Sequence, residues 1–524
     1  MSSPQASPKP PRQAATPAMC AYHGKPLRGL MSTAASPQFT GRFGRMFRSL
    51  PQAQYGRTDA DSRAALMALG QAMTSSLDAP KDGNDPEESG IPALYTYLGQ
   101  FIDHDITFDP MSTLIQHADP DALTDFRTPA FDLDNVYGRG PSDQPYLYDN
   151  GPKFLLGDPL ANGAPDLPRN NATPRRALIG DPRNDENSIV SQLQGLFLRF
   201  HNRVVDENAG LDFPALQKIV RFHYQWVVLH DFLPRIVDAG VLDGLKTNGS
   251  FDRAKLKFFH WKNEPFMPVE FSVASYRLGH SMIRPGYRMN DDNSTLLPIF
   301  PVPPAFPSGL TGFQAMAANR GIDWGRFIDV DTRSYGTDNP ADASTRRRLQ
   351  FAYRIDTSVV TPLSMLPANV ASDPPPSLPQ RNLIRSFELG LPTGQDVARA
   401  MNVRVMDDKD ILIGKAVDKP ETGDVLGPID KVKGLEPFKG KCPLWTYVLA
   451  EAALHQAPVQ IPVTEGNTIT TPRLGPVGGR IVAEVLLGLM FGDNDSYLNL
   501  EPTWQPASGT GFALRDFVKY ALGQ

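Results

Sequence analysis

The segment Tyr95 to Phe108 constrains this chain most tightly. Most of its positions are apolar, yet Gln100, Asp103 and His104 interrupt them at i, i+3 and i+4. That spacing puts the three on one face of an α-helix. Leu98, Phe101, Ile102 and Ile106 flank them, so the helix is hydrophobic nearly all round and suits an interior. Burying three polar side chains together is costly unless something satisfies them. Taken alone, the pattern fits either an exposed polar stripe or the wall of a site. Asp105 lies about 100° around the axis from His104, so it must find its partner elsewhere.

The rest of the chain predicts a host of the same kind. Helical periodicity runs through Ser62 to Ser76, 91 to 107, Ser188 to Glu207, Leu216 to Val237, Phe271 to Ile283, Gly394 to Met401, Leu444 to Leu454 and Arg480 to Phe491. Few segments alternate with a period of two. Proline is abundant, at 50 of 524 residues, which predicts long irregular connections between the helices. The expected fold is mainly α: one large helical domain over 26–524 with little β structure, behind a disordered tail at 1–25.

Composition removes several functions. A net charge of -5 supplies no field for nucleic acid and no basic stripe for a membrane. The longest apolar stretch, Ile481 to Phe491, contains Glu484 and is too short to span a bilayer, so it is expected as a buried helix. The first twelve residues show no secretory pattern, and the expected location is cytoplasmic or non-classically exported. Cys20 and Cys442 are the two cysteines, too few for a disulfide scaffold.

Four motifs in order carry a resemblance. Gly99-Gln-Phe-Ile-Asp-His-Asp105 resembles the distal motif of the animal haem peroxidases, the peroxidase–cyclooxygenase superfamily. Gly180-Asp-Pro-Arg-Asn-Asp-Glu186, followed by Leu198-Arg-Phe-His-Asn-Arg203, is similar to the family's distal arginine region. Tyr276-Arg-Leu-Gly-His-Ser-Met-Ile-Arg-Pro285 looks like the proximal histidine segment, and Asn382-Leu-Ile-Arg-Ser-Phe-Glu-Leu-Gly-Leu-Pro392 like the proximal asparagine segment. The likeness runs from about 90 to 400 and more weakly beyond.

The resemblance implies haem b as cofactor, hydrogen peroxide as oxidant and small electron donors (phenols, bromide, iodide, thiocyanate). It makes His104 the acid–base group, Arg183 the fixed cation beside it and Gln100 an organiser of the distal pocket. An imidazole titrating near neutrality suits two opposite proton transfers, and a guanidinium keeps its charge in an apolar pocket. His280 becomes the axial ligand, with Asn382 accepting from its other ring nitrogen. Arg277 and Arg385 become partners of the haem propionates, and Asp103 and Glu186 become ester links to the haem edge. The absence of Cys-x-x-Cys-His excludes thioether attachment. Asn187 stands where mammalian members have a methionine, so no sulfonium link is expected and chloride oxidation is disfavoured.

A calcium loop is also implied. In Thr128-Pro-Ala-Phe-Asp-Leu-Asp-Asn-Val-Tyr-Gly138, alternate positions Thr128, Ala130, Asp132 and Asp134 would face one side of an extended loop and supply hard oxygen donors, with Asp105 closing the set. Two rivals accompany the peroxidase reading. A fatty-acid dioxygenase of the same superfamily needs a tyrosine shortly before the proximal histidine, and Tyr276 lies one position off the usual spacing. A non-enzymatic haem-binding protein sits poorly with intact His104, Arg183 and His280. His201, His223 and His230 are expected to be structural.

Overall fold

The computed structural model describes residues 43–75, 85–107, 129–292, 295–336, 348–368, 370–371, 373–415 and 425–524. The N-terminal tail, Cys20 and Thr128 fall outside them. Nine principal helices lie within the described residues: α1 (Asp59–Ala72), α2 (Leu94–Ile106), α3 (Ser188–Glu207), α4 (Phe213–Val227), α5 (Leu378–Glu388), α6 (Gly394–Ala400), α7 (Leu444–Leu454), α8 (Gly478–Gly492) and α9 (Leu514–Leu522). Among the described residues strands are short and pair only in twos, such as β1 (Glu88–Pro92) with β2 (Phe351–Tyr353), and β3 (Gln456–Gln460) with β4 (Thr468–Pro472), both antiparallel. The mainly α expectation therefore holds.

Local chemistry explains several boundaries. Asn187 caps α3, its side-chain oxygen accepting from the backbone of Ile189 and Val190. Asp212 caps α4 through Ala215, with Pro214 in the first turn. Helix α4 does not stop at its last regular residue. It passes through a π turn at Val228–Phe232 and continues to Ile236, so the predicted helix over Leu216 to Val237 exists with one widened turn. The π turn delivers Asp231 to Tyr95 on α2, whose hydroxyl donates to it at 2.6 Å, and Asp231 also accepts from Leu514 N at 2.8 Å.

Aromatic stacking joins the central helices. Phe101 of α2 lies on Phe197 of α3 with centroids 4.2 Å apart, and Phe200 lies on Phe517 of α9 at 4.0 Å. Helix α8 is buried along Ile481 to Met490, as its apolar run implies. Its Glu484 accepts from the backbone N–H groups of Lys257, Phe258 and Phe259, which satisfies a carboxylate no water reaches. Among the described residues no helix is long and apolar enough to cross a membrane.

One expected helix is broken. Phe271 to Ile283 is three separate turns, Val269–Ser272, Ser275–Leu278 and Gly279–Met282. Ala274 leaves the helical region at φ -131°, ψ -82°. Tertiary bonds hold the break: Ser386 of α5 donates to Val273 O at 3.0 Å, and Trp445 of α7 donates to Arg277 O at 3.3 Å.

Candidate active site

A cavity of about 860 Å³ separates α2 from these three turns. Gln100, Asp103 and His104 line it from one side, Tyr276, Arg277 and His280 from the other, and Glu186 and Asn187 close one edge. The three polar residues of α2 thus share the face that the sequence assigns them. Asp105, turned away, is fully buried behind.

His104 is 5% exposed, and its Nδ1 lies 2.7 Å from Asn184 Oδ1. An amide oxygen only accepts, so Nδ1 carries the hydrogen and Nε2 is the basic nitrogen. Asn184 is held in turn by its own donation to Gln194 Oε1 at 2.8 Å. Sequence reasoning passed over Asn184. It lies between Arg183 and Glu186 in a quoted motif, but an asparagine in a loop carries no signal of its target.

Arg183 lies beside the cavity and outside its wall. Its Nη2 donates to the carbonyls of His104 at 2.9 Å and Thr107 at 2.6 Å, and pairs with Asp181 at 2.8 Å. Those carbonyls lie at the C-terminal end of α2, so the guanidinium finishes the helix that presents His104. The side chain of Gln100 bridges two neighbours, donating to Glu186 and accepting from Asn187 Nδ2 at 3.2 Å. Burial raises the Glu186 carboxyl above its ordinary range, with His104 and Arg183 opposing the rise.

On the opposite wall, His280 is neutral. Burial pushes it down to about 3, and the charge of Arg277 adds to the shift. A deprotonated ring nitrogen is what a metal requires. Asn382 of α5 meets it, but with the amide reversed from the implied arrangement: Nδ2 lies 2.7 Å from His280 Nδ1, and Oδ1 accepts from Arg277 Nη1 at 3.1 Å. The reason is that Arg277 has only hydrogens to offer and takes the amide oxygen. Arg385, one turn further along α5, is buried and outside the cavity wall.

A buried ion triad joins the two walls. Glu88, on β1 just before α2, pairs with Arg284, four residues after His280, and with Arg348 at 2.6 Å. Burial opposes ionisation of Glu88, but Arg348 and Arg284 outweigh it and hold its carboxyl below the usual range.

Behind α2, carboxylate oxygens of Asp105, Asp132 and Asp134 lie within 4.8 Å of one another. Like charges that close repel by about 3 kcal/mol per pair at an effective dielectric of about 20. The loop is not extended as expected. Leu133 takes a left-handed φ of 60°, and Asp134–Tyr137 forms a helical turn. This kink, rather than strand-like alternation, turns Asp132 and Asp134 toward one point. Ala130 is buried nearby in sequence. Gly180 lets the Arg183 loop close on this turn, since a Cβ there would lie 2.5 Å from Asp134 O.

His201, His223 and His230 make hydrogen bonds within the fold. His201 is buried, with Nε2 2.8 Å from Pro152 O and Nδ1 3.0 Å from Tyr137 Oη. His223 contacts Ile219 O, and His230 contacts Tyr497 Oη. Cys442 is a buried free thiol.

The animal haem peroxidase family model matches residues 115–303, a stretch that holds Arg183, Glu186 and His280. The match spans about a third of the chain, and over those residues the sequence is similar to an animal haem peroxidase domain. Among solved structures, peroxidase A from Dictyostelium discoideum superposes with a TM-score of 0.56 at 15% identity, covering 90% of each chain. Fatty acid alpha-dioxygenase from Arabidopsis thaliana reaches 0.50 at 13% identity, covering 90% of this chain and 76% of its own. No curated protein matches by sequence.

Proposed function

We propose that this protein is a haem peroxidase that reduces hydrogen peroxide and oxidises small donors: phenols, bromide, iodide or thiocyanate. The observation that carries this reading is the pair of histidines in opposite walls of one cavity, each with Nδ1 engaged by an asparagine. Bound haem supplies the redox chemistry. His280 would hold the iron through its free ring nitrogen, with the Asn382 amide turned so that its oxygen accepts from Nδ1–H. Arg277 is released by that turn to meet a propionate, and Arg385 lies on the same helix for the other. Asp103 and Glu186, both in the cavity wall, would form the ester links.

His104 takes the peroxide proton at Nε2 and returns it to the departing oxygen, while Asn184 keeps the opposite nitrogen protonated throughout. Arg183, paired with Asp181, steadies the end of the helix that presents His104. The carboxylates of Asp105, Asp132 and Asp134 fit a hard cation and would hold Ca²⁺, with Ala130 and Thr128 completing the oxygen donors. The ion's work is mechanical: it ties the back of α2 to the following loop.

The test is the absorption spectrum of the haem-loaded protein, then peroxide-dependent oxidation of a neutral phenol. A Soret band with no peroxide-dependent turnover overturns the reading. A fatty-acid dioxygenase is the second reading, because Tyr276 lines the cavity with its hydroxyl on Gly99 O at 3.2 Å. Rapid oxygen uptake with linoleate and no added peroxide would establish it. Acid–acetone extraction after peroxide exposure tests the esters, since haem that stays with the protein requires covalent bonds.

A further inference from the structure

We propose that the cavity mouth carries an anion subsite built on Arg176, which selects phenolic donors that bear a carboxylate. The proposal rests on the peroxidase reading and deepens it. Arg175 and Arg176 are adjacent but differently employed. Arg175 points outward to an ion pair with Asp158. Arg176 is exposed yet lines the cavity.

Two contacts fix the Arg176 guanidinium. Its Nη1 donates to Phe313 O at 2.9 Å, and its carbon lies 5.8 Å from the centroid of the Phe313 ring. Its Nε and Nη2 hydrogens make no protein hydrogen bond or ion pair among the described residues. A guanidinium with spare, pre-oriented donors matches a carboxylate. Beside it Ile299, Phe300, Leu310 and Phe313 make an apolar wall, which suits an aromatic ring. The cavity thus offers a cation at its rim, an apolar side, and His104 in its interior. A phenol with a carboxylate opposite its hydroxyl fits that order, acid outward and hydroxyl inward. The chemistry balances without a further reactant: two phenols each lose one electron and one proton, and one peroxide leaves as two waters.

The test uses the haem-loaded protein with peroxide and a matched pair of donors, para-hydroxyphenylacetate and its amide. Arg176→Gln should raise KM for the acid about tenfold, the scale of one charge-assisted contact. It should leave kcat and the amide's KM unchanged. Arg176→Lys should recover part of the loss. Equal KM values for acid and amide in the wild type, or equal shifts for both in the variant, overturn the subsite. Calorimetry with phenylacetate, which has no hydroxyl to oxidise, reads the subsite independently of turnover. Binding that Arg176→Gln abolishes supports it, and absence of binding to the wild type refutes it. If neither donor is oxidised but phenylacetate binds through Arg176, the peroxidase reading fails and the subsite stands.

Discussion

The two walls of the cavity are built by opposite means. The His104 wall is one continuous helix of 13 residues, backed by the three-carboxylate cluster and held at its end by Arg183. The His280 wall is three broken turns held by side chains from α5 and α7. A group that moves a proton gains from a scaffold that cannot tilt. A group that binds a metal gains from a partner able to change its hydrogen bond. Asn184 is locked by Gln194, whereas Asn382 divides its amide between His280 and Arg277.

The contrast is broken most strongly by exchanging losses between the walls. His280→Ala should abolish haem retention, read as loss of the Soret band. His104→Leu should keep the haem and cut peroxide-dependent turnover by about 10²–10⁴-fold. Equal haem loss in both variants would erase the distinction.

Acid should separate the walls next. Burial holds His201, which braces α3 behind the His104 wall, down to about 4, below its ordinary 6.5. The unfolded chain binds the proton more tightly, so the neutral ring stabilises the fold fully above 6.5. That contribution disappears as the pH falls from 6.5 through 4, and the linkage is worth about 3 kcal/mol. His201→Gln should flatten the acid limb of a Tm-against-pH curve over that window. An unchanged limb would acquit His201.

The smallest effects are the most discriminating. Asn184→Ala and Asn382→Ala should each lower activity by about 10–100-fold, the usual cost of removing a group that orients a ligand or base. Only Asn382→Ala should also shift the iron reduction potential. A potential shift in Asn184→Ala would mean that the two asparagines do not divide their work as described.

The helices were legible wherever periodicity and caps agreed. Leu444 to Leu454 and Ser188 to Glu207 run as the sequence implies, because apolar faces and the Asn187 cap point the same way. Phe271 to Ile283 misled because its apolar spacing is helical but its hydrogen bonds go to α5 and α7. Helix α5 escaped notice behind Pro374 to Pro376, although Pro379 sits where an N-terminal turn tolerates it. At the site, Gln100, Asp103 and His104 could be grouped from spacing alone. The placement of Arg183 on carbonyls rather than in the wall could not, since residue type names a donor and not its acceptor. The reversed amide of Asn382 was hidden for the same reason: it depends on which of two neighbours wins one oxygen.

The π turn at Val228–Phe232 has a consequence for chain length. It accommodates one residue more than α geometry would, and so sets the rotational phase of everything after it. Were the turn to wind as regular α-helix with no residue removed, Leu233 to Ile236 would rotate by about 100°. Asp231 would leave Tyr95, and Phe232 would leave Gly99, where its ring lies 3.3 Å from the position of an added Cβ. At this place, then, a one-residue deletion would leave the later residues in phase, which a regular α turn does not allow.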